Sequence, residues 1–323
     1  MILVTGGAGY IGSHYVLYER SRGGEVIVLD NLVYGHREAV QGVPLIVGDV
    51  GDRELLDRLF CHYPIEAVVH FAAFAYVGES VKQPERYFHN NVVSTLTLLE
   101  AMRAHHICYL VFSSSCATYG NPKYVPLDEH HPQDPINPYG ESKRFCERMM
   151  AAYDHAHGLR FIALRYFNAA GADPQGRIGE SHEPETHLIP LILQVATGRR
   201  EALTIYGTDY DTPDGTCIRD YIHIMDLAQA HALALDRLRA GCESAYYNLG
   251  TENGHSVREV IAVCEKVTGK PMQVTEGLRR PGDPPCLVAS AARAKAELGW
   301  QPRFTDLEEI VTTAWNWEQK RPW

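Results

Sequence analysis

The chain is poor in lysine, with seven among 323 residues, and its 30 basic side chains are outnumbered by 40 acidic ones. The resulting formal charge of −10 argues against nucleic acid or an anionic membrane surface as a partner, because both call for a basic face. Long apolar runs are also missing. The longest, from Ala67 to Val77, contains His70 and falls well short of the ~18 residues that a membrane span requires. The eight cysteines, at 61, 108, 116, 146, 217, 242, 264 and 286, include no CxxC pair, which removes the common structural zinc and dithiol spacings. Most lie in apolar runs and are expected as small core hydrophobes in a reducing compartment. The N-terminus shows no basic stretch followed by an apolar one, as a secretory leader would have. A soluble, cytoplasmic protein is expected, with no bound metal.

What remains is ordinary globular composition, 45% hydrophobic and 22% charged, at a length that suits one large domain or two ordinary ones. The first half alternates two patterns. Short runs at 2–5, 26–30, 44–47, 67–71, 109–113 and 161–166 are almost continuously apolar, as strands covered on both faces are. Between them, 10–22, 53–61, 84–105 and 139–157 have helical spacing; Val92, Leu96, Leu99 and Met102 mark one face of the third. This alternation predicts an α/β fold with a Rossmann-type, doubly wound parallel sheet. Beyond about residue 171 the loops lengthen. The pattern predicts a loop over 173–186, helices at 188–197, 225–238 and 257–268, short strands at 203–206 and 272–275, and two final helices. A smaller C-terminal α/β substrate domain over 171–323 follows a cofactor domain over 1–170. The runs 221–224 and 246–249 are apolar enough to return to the first sheet.

Gly6, Gly9 and Gly12 lie between the first strand and the first helix. Such a loop allows a tight turn, close approach of a pyrophosphate to the backbone, and close helix–strand packing, with the phosphates at the positive helix terminus. Asp30 ends the second strand eighteen residues past Gly12, where a carboxylate accepts from an adenosine ribose and repels a 2′-phosphate, so NAD is favoured over NADP. Two YxxxK sequences occur. Tyr119 and Lys123 enclose Gly-Asn-Pro, which reads as a turn. Tyr139 and Lys143 follow Pro138 at the start of a helix, where i and i+4 share a face and an ammonium can lower the phenol's pKa. Ser113, Ser114 and Ser115 end the fifth strand, at the side of a parallel sheet where ligands bind. The sequence His182-Glu183-Pro184-Glu185-Thr186-His187 is one residue too long for a zinc-protease HExxH and contains a helix-breaking proline. His130, His131, His155 and His157 lie in polar surroundings and are expected at the surface.

The GxxGxxG spacing together with Tyr139, Lys143 and Ser115 resembles the extended branch of the short-chain dehydrogenase/reductase superfamily. Within it the chain is similar to the UDP-hexose 4-epimerase family, through DNLVYG (30–35), AYVGESVKQPERYFHNN (75–91), FSSSCATYG (112–120), NPYGESK (137–143), LRYFNAAGA (164–172), DGTCIRDYIHIMDLA (214–228) and YYNLG (246–250). The resemblance implies NAD as cofactor, held by Gly6, Gly9, Tyr10, Ile11, Gly12, Asp30, Asn31, Asp49, Val50, Phe71, Ala72, Ala73, Asn90, Lys143 and Phe167. It implies catalysis by Tyr139 as base, Lys143 and Ser115, with C4 of a UDP-hexose passing through a transient 4-ketose. Ser115, Tyr139, Asn168, His187, Leu188, Tyr206, Arg219, Arg280, Asp283 and Cys286 would contact the UDP-sugar. The family commonly has asparagine at the position of His187. It has tyrosine at that of Cys286 in members restricted to unacetylated sugars, so this chain is expected to accept UDP-GlcNAc and UDP-GalNAc as well. Pairing of the helices over 84–105 and 139–157 in a homodimer is implied too. A UDP-pentose 4-epimerase is an open alternative. A sugar-nucleotide 4,6-dehydratase is disfavoured, since Cys116 and Ala117, not an acid pair, follow Ser115. A non-enzymatic NAD-sensing regulator is a third, although such proteins typically lose the tyrosine or the lysine.

Overall fold

The computed structural model describes residues 1–40, 42–280 and 282–323. The strands, in chain order, are β1 (Ile2–Thr5), β2 (Val26–Asp30), β3 (Leu45–Val47), β4 (Ala67–His70), β5 (Tyr109–Ser113), β6 (Arg160–Tyr166), β7 (Asn168–Ala170), β8 (Leu203–Tyr206), β9 (Ile218–His223), β10 (Ala245–Leu249), β11 (Gly254–Ser256), β12 (Val274–Gly277) and β13 (Cys286–Leu287). The α-helices are α1 (Tyr10–Ser21), α2 (Arg53–His62), α3 (Val77–Lys82), α4 (Pro84–Tyr87), α5 (Ser94–Ala104), α6 (Pro138–His157), α7 (Leu188–Thr197), α8 (Ile224–Arg239), α9 (Val257–Thr268), α10 (Ala292–Leu298) and α11 (Leu307–Glu318).

Seven strands form one parallel sheet in the order β10-β6-β5-β4-β1-β2-β3. Alternate residues of each strand enter different cores. Ile2, Val4, Val28, Val69 and Leu164 pack with α1 and α8 on one face. Leu3, Ile27, Leu29, Val68, Phe112 and Phe161 pack with α2, α5 and α6 on the other. Two buried faces favour apolar side chains at nearly every position, which accounts for the almost continuous apolar runs. The strand order reverses between β1 and β4, and ligands bind at such a switch point, outside the carboxyl ends of the strands. The residues that follow β1, β4, β5 and β6 lead into that crevice.

Of the two runs expected to return to the first sheet, 246–249 does so within β10, which pairs with β6, and α8 covers the sheet beside α1; 221–223 does not, since it belongs to β9 in a small separate sheet. A third core joins α7, α9 and α11 to β8 and β9. The small sheets β11-β9-β13, with β7 beside β9, and β12-β8 stand apart from the large one. The strand expected at 272–275 lies two residues later, over Val274–Gly277.

The single helix expected over 84–105 is broken into α4, a π-helical segment Phe88–Val93, and α5. The wider turn swings Asn91 inward, where it is buried and accepts from Phe74 N at 2.8 Å. Apolar periodicity does not report such an inserted residue, because the face on either side of it is maintained. Only three cysteines (146, 217 and 264) are buried, against the expectation that most are core. His131 is buried rather than exposed: its Nε2 accepts from Lys123 N at 2.9 Å inside the 119–134 loop.

Candidate active site

The turn between β1 and α1 brings the backbone of Gly6 against the segment after β4. Gly6 has φ +68°, and a Cβ there would lie 2.5 Å from Ala72 N. A Cβ on Gly12 would lie 2.3 Å from Gly6 O. Neither position admits a side chain, whereas Gly9 has room and lies at the N-terminus of α1. Phe71 and Ala72 both donate from their amides to Thr5 O, which lays 71–73 along the mouth of the crevice. Tyr10 is buried and donates its hydroxyl to Gly171 O at 2.6 Å, while Ile11 is half-buried.

Asp30 is buried at the end of β2. It accepts from Ala8 N at 2.9 Å and Leu32 N at 2.8 Å, which ties the glycine loop to the second strand. Burial raises its carboxyl, and these amides work in the other direction. Asn31 Nδ2 donates to Asp49 Oδ2 at 3.0 Å, so the two residues expected around the adenosine share one edge, with buried Val50 behind them.

The helix that carries the tyrosine is set by its own start. Asn137 caps it, accepting from Gly140 N at 2.8 Å, and Pro138 occupies the first turn. Tyr139 and Lys143 then face the end of β5. Lys143 Nζ donates to Ser113 O at 2.8 Å and lies 5.9 Å from the Tyr139 ring centroid. Ser115 is buried, and its Oγ accepts from Ala117 N at 3.1 Å. The protein's own groups do not lower the tyrosine's pKa as the i, i+4 spacing predicts. Burial pushes the Tyr139 phenol up, Tyr166 adds to this, and the hydrogen bond with Ser115 opposes it. Burial also brings the Lys143 ammonium down to about 8, against Cys146 and Glu147. Desolvation by burial is the largest cause for both groups.

The expected UDP-sugar residues lie on the far wall. Asn168, on β7, donates to Asp220 O at 3.0 Å. Phe167 is buried against Tyr119, Leu127 and Ala289. His187 is the N-cap residue of α7 and Leu188 its first residue. Arg280 stacks over the exposed Tyr206 ring, its guanidinium 3.9 Å from the centroid. Arg219 and Asp283 form an ion pair with each other. Cys286 is half-buried and opposes Ile218 in the β13–β9 register, next to Arg219.

Two residues that support the site, Glu147 and Asp220, were not singled out, whereas Asn91 was expected together with Asn90. Asn91, beside the expected Asn90, ties Phe74 to Ser142 Oγ at 3.0 Å. Glu147 accepts from Ser114 Oγ at 2.6 Å and from Arg165 at 2.9 and 2.7 Å, all buried, and so fixes the serine run to α6 and β6. Asp220 accepts from Thr251 N and Oγ1 and from the amides of Glu252 and Ala289, at 2.8 to 3.1 Å, joining β9 to the far wall. A carboxylate inside a strand run, as Asp220 is in IRDYIH beside Arg219 and His223, was the available signal.

A doubly wound sheet with a glycine turn at its switch point and a Ser–Tyr–Lys set at the end of β5 defines an NAD-binding enzyme of the short-chain dehydrogenase/reductase type. The comparisons with known proteins agree. The NAD dependent epimerase/dehydratase family matches residues 2–250, and the chain belongs to that family. UDP-glucose 4-epimerase of Halalkalibacterium halodurans is 54% identical over 321 residues, covering 99% of this chain and 96% of that protein. The crystal structure of UDP-glucose 4-epimerase from Brucella ovis in complex with NAD superposes with TM-score 0.95 at 48% identity, over 97% of each chain. The UDP-Glc/GlcNAc 4-epimerase of Campylobacter jejuni superposes with TM-score 0.86 at 40% identity, over 99% of each chain.

Proposed function

We propose that the protein interconverts UDP-glucose and UDP-galactose by inverting C4, with NAD as a cofactor that is regenerated in each cycle. The observation that carries this reading is the convergence of Tyr139, Lys143 and Ser115 at the carboxyl end of β5, two strands along the same sheet edge from the Gly6–Gly12 turn after β1. The steric demand at Gly6 and Gly12, the free N-terminus of α1, and Asp30 at the end of β2 fit an NAD molecule. The Gly6, Gly9 and Gly12 turn, with Tyr10 and Ile11, would hold its diphosphate. Asp30, Asn31, Asp49 and Val50 would hold the adenosine, and Phe71, Ala72, Ala73, Asn90, Lys143 and Phe167 would line the remainder. When bound, the cofactor accepts and returns the C4 hydrogen as hydride and brings positive charge into the crevice.

The residues supply position and proton transfer. Tyr139 takes the proton from the 4-hydroxyl and returns it, and Ser115 bonds the same oxygen. Lys143, anchored on Ser113 O, holds its charge beside the phenol. On the far wall Arg219 and Arg280 would hold the diphosphate, Tyr206 and Asp283 the uridine, and Asn168, His187 and Leu188 the diphosphate or the sugar. In the absence of a tyrosine, Cys286 leaves space at C2 for an N-acetyl group, which supports turnover of UDP-GlcNAc as well.

The proposed division is a cofactor domain over 1–170 and a UDP-sugar domain over 171–323, with 224–249 added to the first. Val77, Val81, Phe88, Val93, Leu96 and Phe145 are exposed on the helical layer of α3, the π segment, α5 and α6, and this supports burial of that layer in a homodimer. Eight free cysteines support work in the reducing cytoplasm. No helix among the described residues is long and apolar enough to cross a membrane.

The test is product analysis on a panel of UDP-sugars without added NAD, for wild type and Cys286→Tyr. Wild type is expected to turn over UDP-glucose and UDP-GlcNAc, and the variant UDP-glucose alone. No turnover of UDP-glucose refutes the main reading, and no turnover of UDP-GlcNAc by wild type refutes the wider specificity.

A further inference from the structure

The loop before α7 gathers four side chains whose common chemistry is metal ligation. One donor atom from each of Glu180, His182, Glu185 and His187 lies within 4.8 Å of every other. Three of the separations are near those that a tetrahedral ion imposes. Ligands about 2.0–2.2 Å from Zn²⁺ sit roughly 3.4 Å from one another. Here Glu180 Oε1 is 3.1 Å from His182 Nδ1, Glu185 Oε1 is 3.6 Å from His187 Nδ1, and Glu185 Oε2 is 3.9 Å from His182 Nδ1. Glu180 and His187 are in direct contact.

A second observation is independent of this spacing. Glu185 accepts from the amides of Thr186 and His187 through Oε1, which fixes the carboxylate in place. Its Oε2 is buried, finds no hydrogen-bond partner, and points to His182; the side chain as a whole is 2% exposed. A buried carboxylate oxygen without a donor is costly, and a second carboxylate, Glu180, lies in the same cluster. A cation supplies what the Glu185 oxygen lacks. Two imidazoles with two carboxylates suit a borderline divalent ion such as Zn²⁺ rather than Mg²⁺ or Ca²⁺, which prefer oxygen alone.

We propose that Glu180, His182, Glu185 and His187 form a structural site for one divalent d-block cation. Such an ion would join the start of α7 to the cofactor side of the crevice. The loop already reaches that side: His36 contacts Ser181 O at 2.9 Å, and the His182 ring packs edge-on against Tyr10 and Tyr76. It also reaches α11, since Trp317 Nε1 donates to Glu180 O at 2.9 Å. His187 and Leu188 stand next to the proposed UDP-sugar, so the ion would order that wall without touching the reacting atoms.

The experiment uses untagged, full-length protein with its NAD, stripped with EDTA and titrated with Zn²⁺ by calorimetry and with Co²⁺ by visible absorbance. Expected is one equivalent per chain, a tetrahedral Co²⁺ spectrum without a sulfur-to-cobalt band, and a higher melting temperature with Zn²⁺. Glu185→Gln and His182→Asn should each weaken binding at least about tenfold, as loss of a ligand does. Far-UV circular dichroism and NAD content show that the variants are folded. Absence of stoichiometric binding overturns the proposal and leaves an ion-pair network of imidazolium and carboxylate. So does binding that both variants retain unchanged, or a thiolate spectrum, since these place the metal on other residues.

Discussion

Four imidazoles are buried in their neutral form, and acid should unfold the protein through them. His70, at the end of β4, accepts from Thr5 Oγ1 at 2.6 Å and donates to Thr95 Oγ1 at 2.9 Å; burial and the Lys143 charge bring it down to about 3. Burial brings His14 and His231 down to about 4 and His223 to about 3. In the unfolded chain each titrates at 6.5. The folded values are depressed, so below pH 6.5 the unfolded state binds more protons and stability falls as pH falls, until the folded values are reached. At about 1.4 kcal/mol per unit, lowering the pH from 6.5 to 5 costs about 1.7 kcal/mol for each histidine and about 7 kcal/mol for four. That is comparable to the whole stability of an ordinary domain, about 5–15 kcal/mol. His187, raised to about 9 first by Glu180, has the opposite sign, and its stabilisation is level below pH 6.5. Urea unfolding followed by far-UV circular dichroism at several pH values between 7.5 and 5 measures the slope. His231→Leu should remove about a quarter of it, since Nδ1 bonds only its own helix and Nε2 has no partner. A stability that is flat between pH 6.5 and 5, or a slope unchanged in His231→Leu, refutes the reasoning.

Tyr139→Phe should lower kcat by roughly 10²–10⁴ and leave bound NAD unchanged, as read by turnover and by cofactor absorbance after denaturation. Glu147→Gln removes the charge that Arg165, Ser114 and Gln133 all engage, which should cost about 3–5 kcal/mol and lower the melting temperature by several degrees. Gly12→Ala places a methyl 2.3 Å from Gly6 O, so the purified variant should carry little or no NAD.

The large sheet was legible in the sequence because burial on both faces leaves runs such as Ile2–Thr5 and Val26–Asp30 without a polar interruption. The glycine turn was legible because only glycine fits where a Cβ would strike Ala72 N or Gly6 O. The small strands β7, β11 and β13 were not, since two or three residues carry no period. The break in the helix over 84–105 was hidden for a related reason: one residue added to a turn alters the ladder but not the apolar face. The charge state of the site was the least accessible. Spacing placed Lys143 beside Tyr139, but the outcome depends on how far both are desolvated, which is set by the strands and helices packed around them.

Local arrangement also explains how a chain of net charge −10 takes two anionic ligands. Most of its buried or half-buried guanidinium charge is already matched: Arg165 by Glu147, and Arg219 by Asp283. In the reading proposed above, a diphosphate that reaches Arg219 exchanges one anionic partner for another, and the released Asp283 turns to the uridine ribose. The net Coulomb gain at Arg219 is therefore small, and the contact contributes orientation more than affinity. Arg280 differs. Among the described residues it makes no ion pair; it is stacked on Tyr206, and its charge is available to the incoming phosphates. In the proposed reading the attraction of the substrate thus rests on one guanidinium held by an aromatic face, and that of the cofactor on the amides of the Gly6–Gly12 turn, which carry no net charge.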